Sequence, residues 1–154
     1  MYLVIEGPDN VGKTTYINSP EFEGYVKLVE GPQFELGRWA LVEAYDDYRI
    51  AEIAPKLYRM RHYTNIVQDR SFVSTMAYQL HYSERKDYLD KLMKYFPILI
   101  PDKVIILDRK PEMVEAACTK EKVPYIPSMM DAYMDCANLL EKAGVDVEIK
   151  YVSD

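Results

Sequence analysis

Gly7-Pro8-Asp9-Asn10-Val11-Gly12-Lys13-Thr14 fits the pattern G-x-x-x-x-G-K-[ST] at every position. Chance supplies such a string in roughly one chain in a few hundred, before any structural context is demanded. The context is also present. Tyr2-Leu3-Val4-Ile5, directly before it, reads as a buried strand, and a helix opens inside Gly12-Lys13-Thr14-Thr15. Glycines let backbone N–H groups converge on phosphate oxygens, and a helix N-terminus adds a favourable dipole. Lys13 supplies a mobile point charge for β- and γ-phosphates, its side chain expected to point into a solvent-filled site. Thr14 offers a hydroxyl to Mg²⁺. Together these residues imply binding of a nucleoside triphosphate with Mg²⁺, and leave open what receives the phosphate.

Working outward, four further apolar runs have strand length: Val26 to Val29, Asn65 to Asp69, Val104 to Asp108 and Val147 to Val152. Lys103-Val104-Ile105-Ile106-Leu107-Asp108 is rich enough in Val and Ile to be buried on both faces. The helix that opens at the loop must be short, because Pro20 follows Ser19. A long helix is expected from roughly Leu36 to Tyr63, with Pro55 kinking or breaking it. Two more cover Ser71 to Tyr82 and Glu84 to Tyr95, and Pro111 sits well in the first turn of another. In the last helix Met130, Tyr133, Met134, Ala137 and Leu140 share a face that reads as core packing, and Gly144 is its stop. Strands alternating with helices imply an α/β fold of three layers, a five-stranded parallel sheet covered by helices on both faces. Right-handed crossovers bring every C-terminal strand end to one edge, where such sheets bind ligands.

The 154 residues suit one domain over 1–154, with no repeat, low-complexity tract or dividing linker. With 19 basic against 25 acidic residues the net charge is -6, which argues against a duplex nucleic-acid partner. No apolar run approaches the ~20 residues of a membrane span, and Met1 to Glu6 is too short and wrongly flanked for a signal peptide. Cys118 and Cys136 make no disulfide framework, and His62 and His81 lie in no metal-ligand spacing. A cytoplasmic protein without a membrane partner is expected, and a zinc enzyme is excluded.

The third strand ends in Val67-Gln68-Asp69-Arg70, followed by Ser71-Phe72-Val73-Ser74-Thr75-Met76-Ala77-Tyr78-Gln79. A charged pair at a strand end is costly to bury without a ligand, although a structural ion pair at the sheet edge remains an alternative. Beside a phosphate loop it has a use: Asp69 can hold Mg²⁺ through water, and Arg70 can grip a phosphate bidentately. Here the sequence resembles the thymidylate kinases, with the deoxynucleoside kinases as close relatives. Ile5-Glu6-Gly7-Pro8-Asp9 through Thr15 is similar to their phosphate loop, and Asp69-Arg70, Ser74 and Ala77-Tyr78-Gln79 to their D-R-x-x-x-S-x-x-A-Y-Q string. Pro101-Asp102-Lys103 through Asp108, then Pro111-Glu112, resembles their fourth strand and the helix after it.

The resemblance implies a P-loop kinase fold with ATP and Mg²⁺ as cofactors. ATP would lie on Gly7, Asn10, Val11, Gly12, Lys13, Thr14 and Thr15, with Thr14 and Asp69 at the metal and Lys13, Arg70 and Asp69 catalytic. A deoxynucleotide substrate would be held by Asp9, Tyr45, Arg49, Arg70, Ser74, Tyr78 and Gln79. Within that set Asp9 takes the sugar 3′-hydroxyl, Tyr45 stacks on the base, Arg49 bonds its edge and Tyr78 packs under C2′. The long helix before the third strand is where relatives form homodimers.

Departures from the family pattern are equally specific. The acceptor-phosphate arginine expected after the second strand is absent from Val29-Glu30-Gly31-Pro32-Gln33-Phe34, and the nearest arginine is Arg38. Glu30, a proline and the more distant Trp39 are faintly similar to deoxynucleoside kinases, in which such a Glu is a general base. The lid, around 117–127, is reduced: between Pro111 and Tyr125 there are Lys120 and Lys122 but no arginine. Asn10 replaces the loop arginine of some relatives, so slow turnover or another cation, Arg109 or Lys120, is expected. Without the usual terminal helix, the chain resembles a minimal member of the kind bacteriophages encode. Three functions follow in order: transfer of the ATP γ-phosphoryl to a deoxynucleoside monophosphate, most simply dTMP; a deoxynucleoside kinase acting on the 5′-hydroxyl; and a nucleotide-binding protein with little transfer.

Overall fold

The structure is a computed structural model that describes residues 1–29, 43–83 and 85–153, with the side chains of residues 43–46 and 49 outside that description. Its strands are β1 (Tyr2–Glu6), β2 (Val26–Val29), β3 (Ile66–Asp69), β4 (Lys103–Asp108) and β5 (Asp146–Tyr151). They form one parallel sheet in the order β2-β3-β1-β4-β5. The helices are α1 (Lys13–Ile17), α2 (Glu43–Met60), α3 (Phe72–Ser83), α4 (Tyr88–Tyr95), α5 (Pro111–Glu121) and α6 (Met129–Lys142). A three-layer α/β sandwich with a five-stranded parallel sheet is therefore present, as the alternation implied.

The period of two along each strand sorts the core into two layers. Tyr2, Val4, Ile66, Val104 and Ile106 face one side, beneath α2, α3, α4 and α6. Leu3, Ile5, Val67, Ile105 and Leu107 face the other with Val11, Ile17 and Phe22. There Phe22, in a 3-10 turn over Pro20–Phe22, meets Tyr16 and Tyr25 edge-on, with centroids 5.0 and 5.5 Å away. Register aligns Ile5 with Asp69 and with Ile105, so the ends of β1 and β3 lie side by side. The chain leaves β1 toward one edge, returns through β3, then crosses to β4. The gap between β1 and β3 is thus the topological switch point, where ligands bind in open parallel sheets.

Three helical expectations needed adjustment. α2 runs through Pro55 without a break, although Pro55 has no N–H to donate back along the helix. Ile50, Ile53 and Leu57 hold both sides of that position in the larger core. The expected start near Leu36 lies outside the described residues. α4 begins at Tyr88, after Asp87, rather than at Glu84, which lies outside the description. In α6 the buried face is Met129, Ala132, Tyr133, Cys136, Ala137 and Leu140; Met130 and Met134 are only half-buried, so the stripe is rotated by one position.

Candidate active site

The phosphate loop leaves β1 at Gly7, whose φ is +141°. A Cβ there would sit 2.9 Å from Val11 Cγ1 and 3.0 Å from the Leu107 carbonyl oxygen, so only glycine lets the loop lie against β4. Asn10 (φ 62°) and Gly12 (φ 107°) carry the other left-handed turns, and Val11 is fully buried beneath them as an anchor. Gly12 then caps α1, and the Tyr16 N–H donates to its carbonyl at 3.0 Å. α1 is short, ending at Ile17 as Pro20 requires. Thr14 and Thr15 are exposed on its first turn.

Lys13 differs from expectation. It is 7% exposed and folded back, its Nζ donating to the Gly7 and Pro8 carbonyl oxygens at 2.9 and 2.7 Å. Burial pushes its pKa down to about 7; the Arg70 charge adds to this, and Asp9, Asp69 and Glu6 oppose it. Asp69, at the end of β3, keeps a buried Oδ1 that accepts no hydrogen bond. An unpartnered carboxylate oxygen suits a hard, oxygen-seeking cation such as Mg²⁺. Among the described residues no group of three or more His, Cys, Asp or Glu converges on a metal position. Such an ion would take its remaining ligands from water and phosphate oxygens.

Arg70 occupies the left-handed region (φ 65°), rare for a long side chain, and its N–H donates to the Ile5 carbonyl at 3.1 Å. That turn aims its guanidinium back across the switch point. Nη2 pairs with Asp9 of the phosphate loop, while Nη1 donates to Ser74 Oγ and Tyr133 OH, each at 3.3 Å. Beneath it lies Glu6, fully buried at the end of β1. Its carboxylate accepts from the Ser71 N–H, from Ser71 Oγ at 2.8 Å and from Ser74 Oγ at 2.6 Å. Burial pushes the Glu6 carboxyl up, and the Ser74 hydrogen bond, Arg70, Ser71 and Lys13 pull it back. The ion pair that Arg70 makes is with Asp9 of the phosphate loop.

A shallow cleft opens beside this cluster. Pro8, Asp9 and Tyr78 form one wall; Val114 and Cys118 of α5, then Pro124, Tyr125, Ile126 and Met129, form the other. The segment 117–127 thus contributes four of the nine lining residues. Asn10 Nδ2 donates to Cys118 Sγ at 3.5 Å, and Arg109 Nη1 to the Asn10 carbonyl at 3.1 Å, which ties both to the loop. Tyr78 is 8% exposed and stacks on Tyr82 at 6.0 Å. Ser74 and Gln79 are fully buried and do not line the cleft; Ser74 works beneath Arg70 instead. The side chains of Tyr45 and Arg49, like Glu30, Arg38 and Trp39, lie outside the described residues.

The sequence assigned no role to Glu6, Ser71 or Tyr133. Glu6 had a signal, an acid closing a strand that is otherwise entirely apolar. Tyr133 had none beyond a phenol in a core stripe.

No protein-family model matches the chain. Among solved structures it resembles the YorR protein of Bacillus subtilis in complex with phosphorylated GDP, with TM-score 0.63, 19% identity, and 97% of this chain and 84% of that one covered. A deoxyadenosine kinase from M. mycoides with bound dATP gives 0.66 at 16% identity, covering 97% and 90%. The thymidylate kinase of Ehrlichia chaffeensis gives 0.58 at 16%, covering 100% and 88%. These likenesses establish the nucleotide-kinase fold. A probable thymidylate kinase of Methanopyrus kandleri is 33% identical over 165 residues, covering 99% of this chain and 81% of that protein. A match so nearly end to end, on a sheet that carries its phosphate loop at the switch point, shows that the chain belongs to the thymidylate kinase family.

Proposed function

We propose that this kinase transfers the γ-phosphoryl group of ATP to a deoxynucleoside monophosphate, with dTMP as the preferred acceptor. The observation that carries this is the placement of Arg70, a cation turned out of β3 toward Asp9 of the phosphate loop, which lines the cleft. An acceptor that already bears a phosphate needs a positive charge there; a nucleoside brings nothing for it to meet.

Each side chain then has a task. The loop amides and Lys13 bind the donor phosphates, Lys13 leaving the Gly7 and Pro8 carbonyls for better acceptors. The fork of Arg70 orients the acceptor phosphate in line with the donor, which converts binding into proximity. Asp9, released from Arg70, takes the 3′-hydroxyl, and Tyr78 closes the wall under C2′. By the family resemblance, Tyr45 would stack on the base and Arg49 would bond its edge. Held by Thr14 and, through water, by Asp69, Mg²⁺ would neutralise charge between the donor phosphates. With the lid 117–127 short of arginine, the candidate replacement cations are Arg109, already tied to the loop at Asn10, and Lys120.

The test is a panel of the four deoxynucleoside monophosphates and thymidine, each incubated with ATP and Mg²⁺, with products separated by ion exchange. Production of dTDP at the highest kcat/KM is the expected result. Turnover of thymidine without dTMP would reassign the enzyme to the deoxynucleoside kinases, and ATP binding with no product from any acceptor would leave a nucleotide-binding role.

A further inference from the structure

We propose that Tyr133 is a positioning residue for the acceptor, its hydroxyl fixing the plane of the Arg70 guanidinium through a directional chain that ends on Glu6. This role rests on Arg70 meeting the acceptor phosphate, as proposed above. Tyr133 lies in α6, 63 residues beyond Arg70, and its ring is fully buried in the larger core. Phenylalanine would fill that volume equally well. The hydroxyl is buried too, and it finds its partners not in the core but in the site: Ser74 Oγ at 2.9 Å and Arg70 Nη1 at 3.3 Å.

Proton counting sets the direction of the chain. Glu6 faces three hydrogen-bond donors, the Ser71 N–H and Ser71 Oγ on one oxygen and Ser74 Oγ on the other, and accepts from all of them. Ser74 therefore commits its one proton to Glu6 Oε2, at 2.6 Å. The phenol proton must then go to Ser74 Oγ, which leaves the Tyr133 oxygen as an acceptor for Arg70 Nη1. With Asp9 on Nη2, and Ser74 Oγ and the Tyr133 oxygen on Nη1, the guanidinium is gripped on both sides, Tyr133 reaching it from α6. The same helix supplies Met129, one turn earlier, to the cleft wall. α6 thus sets the cation and one wall of the cleft together.

A double-mutant cycle tests this, with the monophosphate that the wild type turns over fastest and with Kd for ATP measured separately. Tyr133→Phe should lower kcat/KM about tenfold, split between a higher KM and a lower kcat, the size expected for one hydrogen bond to a charged group. Its Kd for ATP should stay within about twofold. In the Arg70→Ala background, Tyr133→Phe should change kcat/KM by less than about twofold, because the group it positions is gone. Cys136→Ala, in the same buried face of α6 but with its Sγ on the Val73 carbonyl, is the packing control and should leave kcat/KM unchanged. Ser74→Ala breaks the chain at its middle and serves in the same cycle if Tyr133→Phe does not fold. A wild-type kcat/KM in Tyr133→Phe, or fold-changes that multiply in the double variant, would overturn the positioning role while leaving Arg70 in place. An unchanged acceptor kcat/KM in Arg70→Ala would overturn both.

Discussion

Replacing Lys13 with methionine should abolish phosphoryl transfer and yet make the nucleotide-free protein more stable. Lys13 is nearly excluded from water, and its pKa stands at about 7 against the usual 10.5. Carrying the buried ammonium to pH 7 costs on the order of 4 kcal/mol by linkage. Two hydrogen bonds to the Gly7 and Pro8 carbonyls are lost with it, at about 1 kcal/mol each. The net gain in Lys13→Met is thus about 2 kcal/mol, or less, since Asp9, Asp69 and Glu6 also lose a cation. The pH dependence has a definite sign. Below about 7 the folded and unfolded chains both hold the proton, and the full penalty is present. Between about 7 and 10.5 the unfolded chain retains a proton that the folded one lacks, so stability rises with pH. From pH 7 to 8.5 this amounts to about 1.5 kcal/mol. Urea denaturation of both proteins at pH 6, 7 and 8.5, in EDTA and without nucleotide, measures it directly. A Lys13→Met protein less stable than wild type, or the same pH slope in both, would refute the idea that the loop holds its lysine under an electrostatic penalty. That penalty is relieved when phosphate arrives, so it resides where function uses it.

Gly7→Ala should lower stability by about 2–5 kcal/mol, because the added Cβ meets Val11 and the Leu107 carbonyl and the backbone is left-handed; a chemical melt reads it, and a loss under 1 kcal/mol would mean that the loop can lift off β4. Asp69→Asn should leave the melting temperature within about 3 °C of wild type, since Oδ1 has no hydrogen bond to lose, and should raise the Mg²⁺ concentration for half-maximal rate about tenfold or more. Tyr78→Ala should narrow the preference for dTMP over its ribose counterpart, a preference no larger than ~100-fold for a steric wall; equal kcat/KM ratios before and after would remove Tyr78 from the sugar site.

The sheet was legible because two periodicities carry it. Alternating strands sort Val4 from Ile5 into opposite cores, and the glycine-lysine string fixes which strand end matters. Element ends were less legible. Pro55 argued for a break in α2, but Ile50, Ile53 and Leu57 pin the helix on both sides. The phosphate loop and Arg70 stood out because charge at a strand's C-terminal end needs a reason. Ser71 and Tyr133 did not, because each serves the site from beneath, through another side chain; Glu6 carries the strand-end charge, but nothing in the sequence shows which side chain it serves. A phenol in a helical stripe looks the same in sequence whether its hydroxyl meets solvent, core or a guanidinium. Likewise no spacing rule could show that Lys13 folds onto its own loop.

The sheet order has a consequence for how the chain is made. β1 is the central strand, and its partners are distant: Met1 contacts Asn65 and Tyr2 contacts Asp102, 64 and 100 residues away. On the ribosome β1 emerges before both neighbours, and it has no hairpin partner to shelter Leu3, Val4 and Ile5 while it waits. At ~5–20 residues per second, the hundred residues to β4 take on the order of 5–20 seconds. Until β3 arrives at Ile66 the most apolar strand is unpaired on both edges, and until β4 arrives the edge that meets β4 stays open. Non-local parallel pairing of this kind folds slowly and exposes sticky edges. The loop becomes competent for phosphate only when Leu107 arrives to press against Gly7, so nascent chains shorter than about that point should neither bind nucleotide nor resist protease.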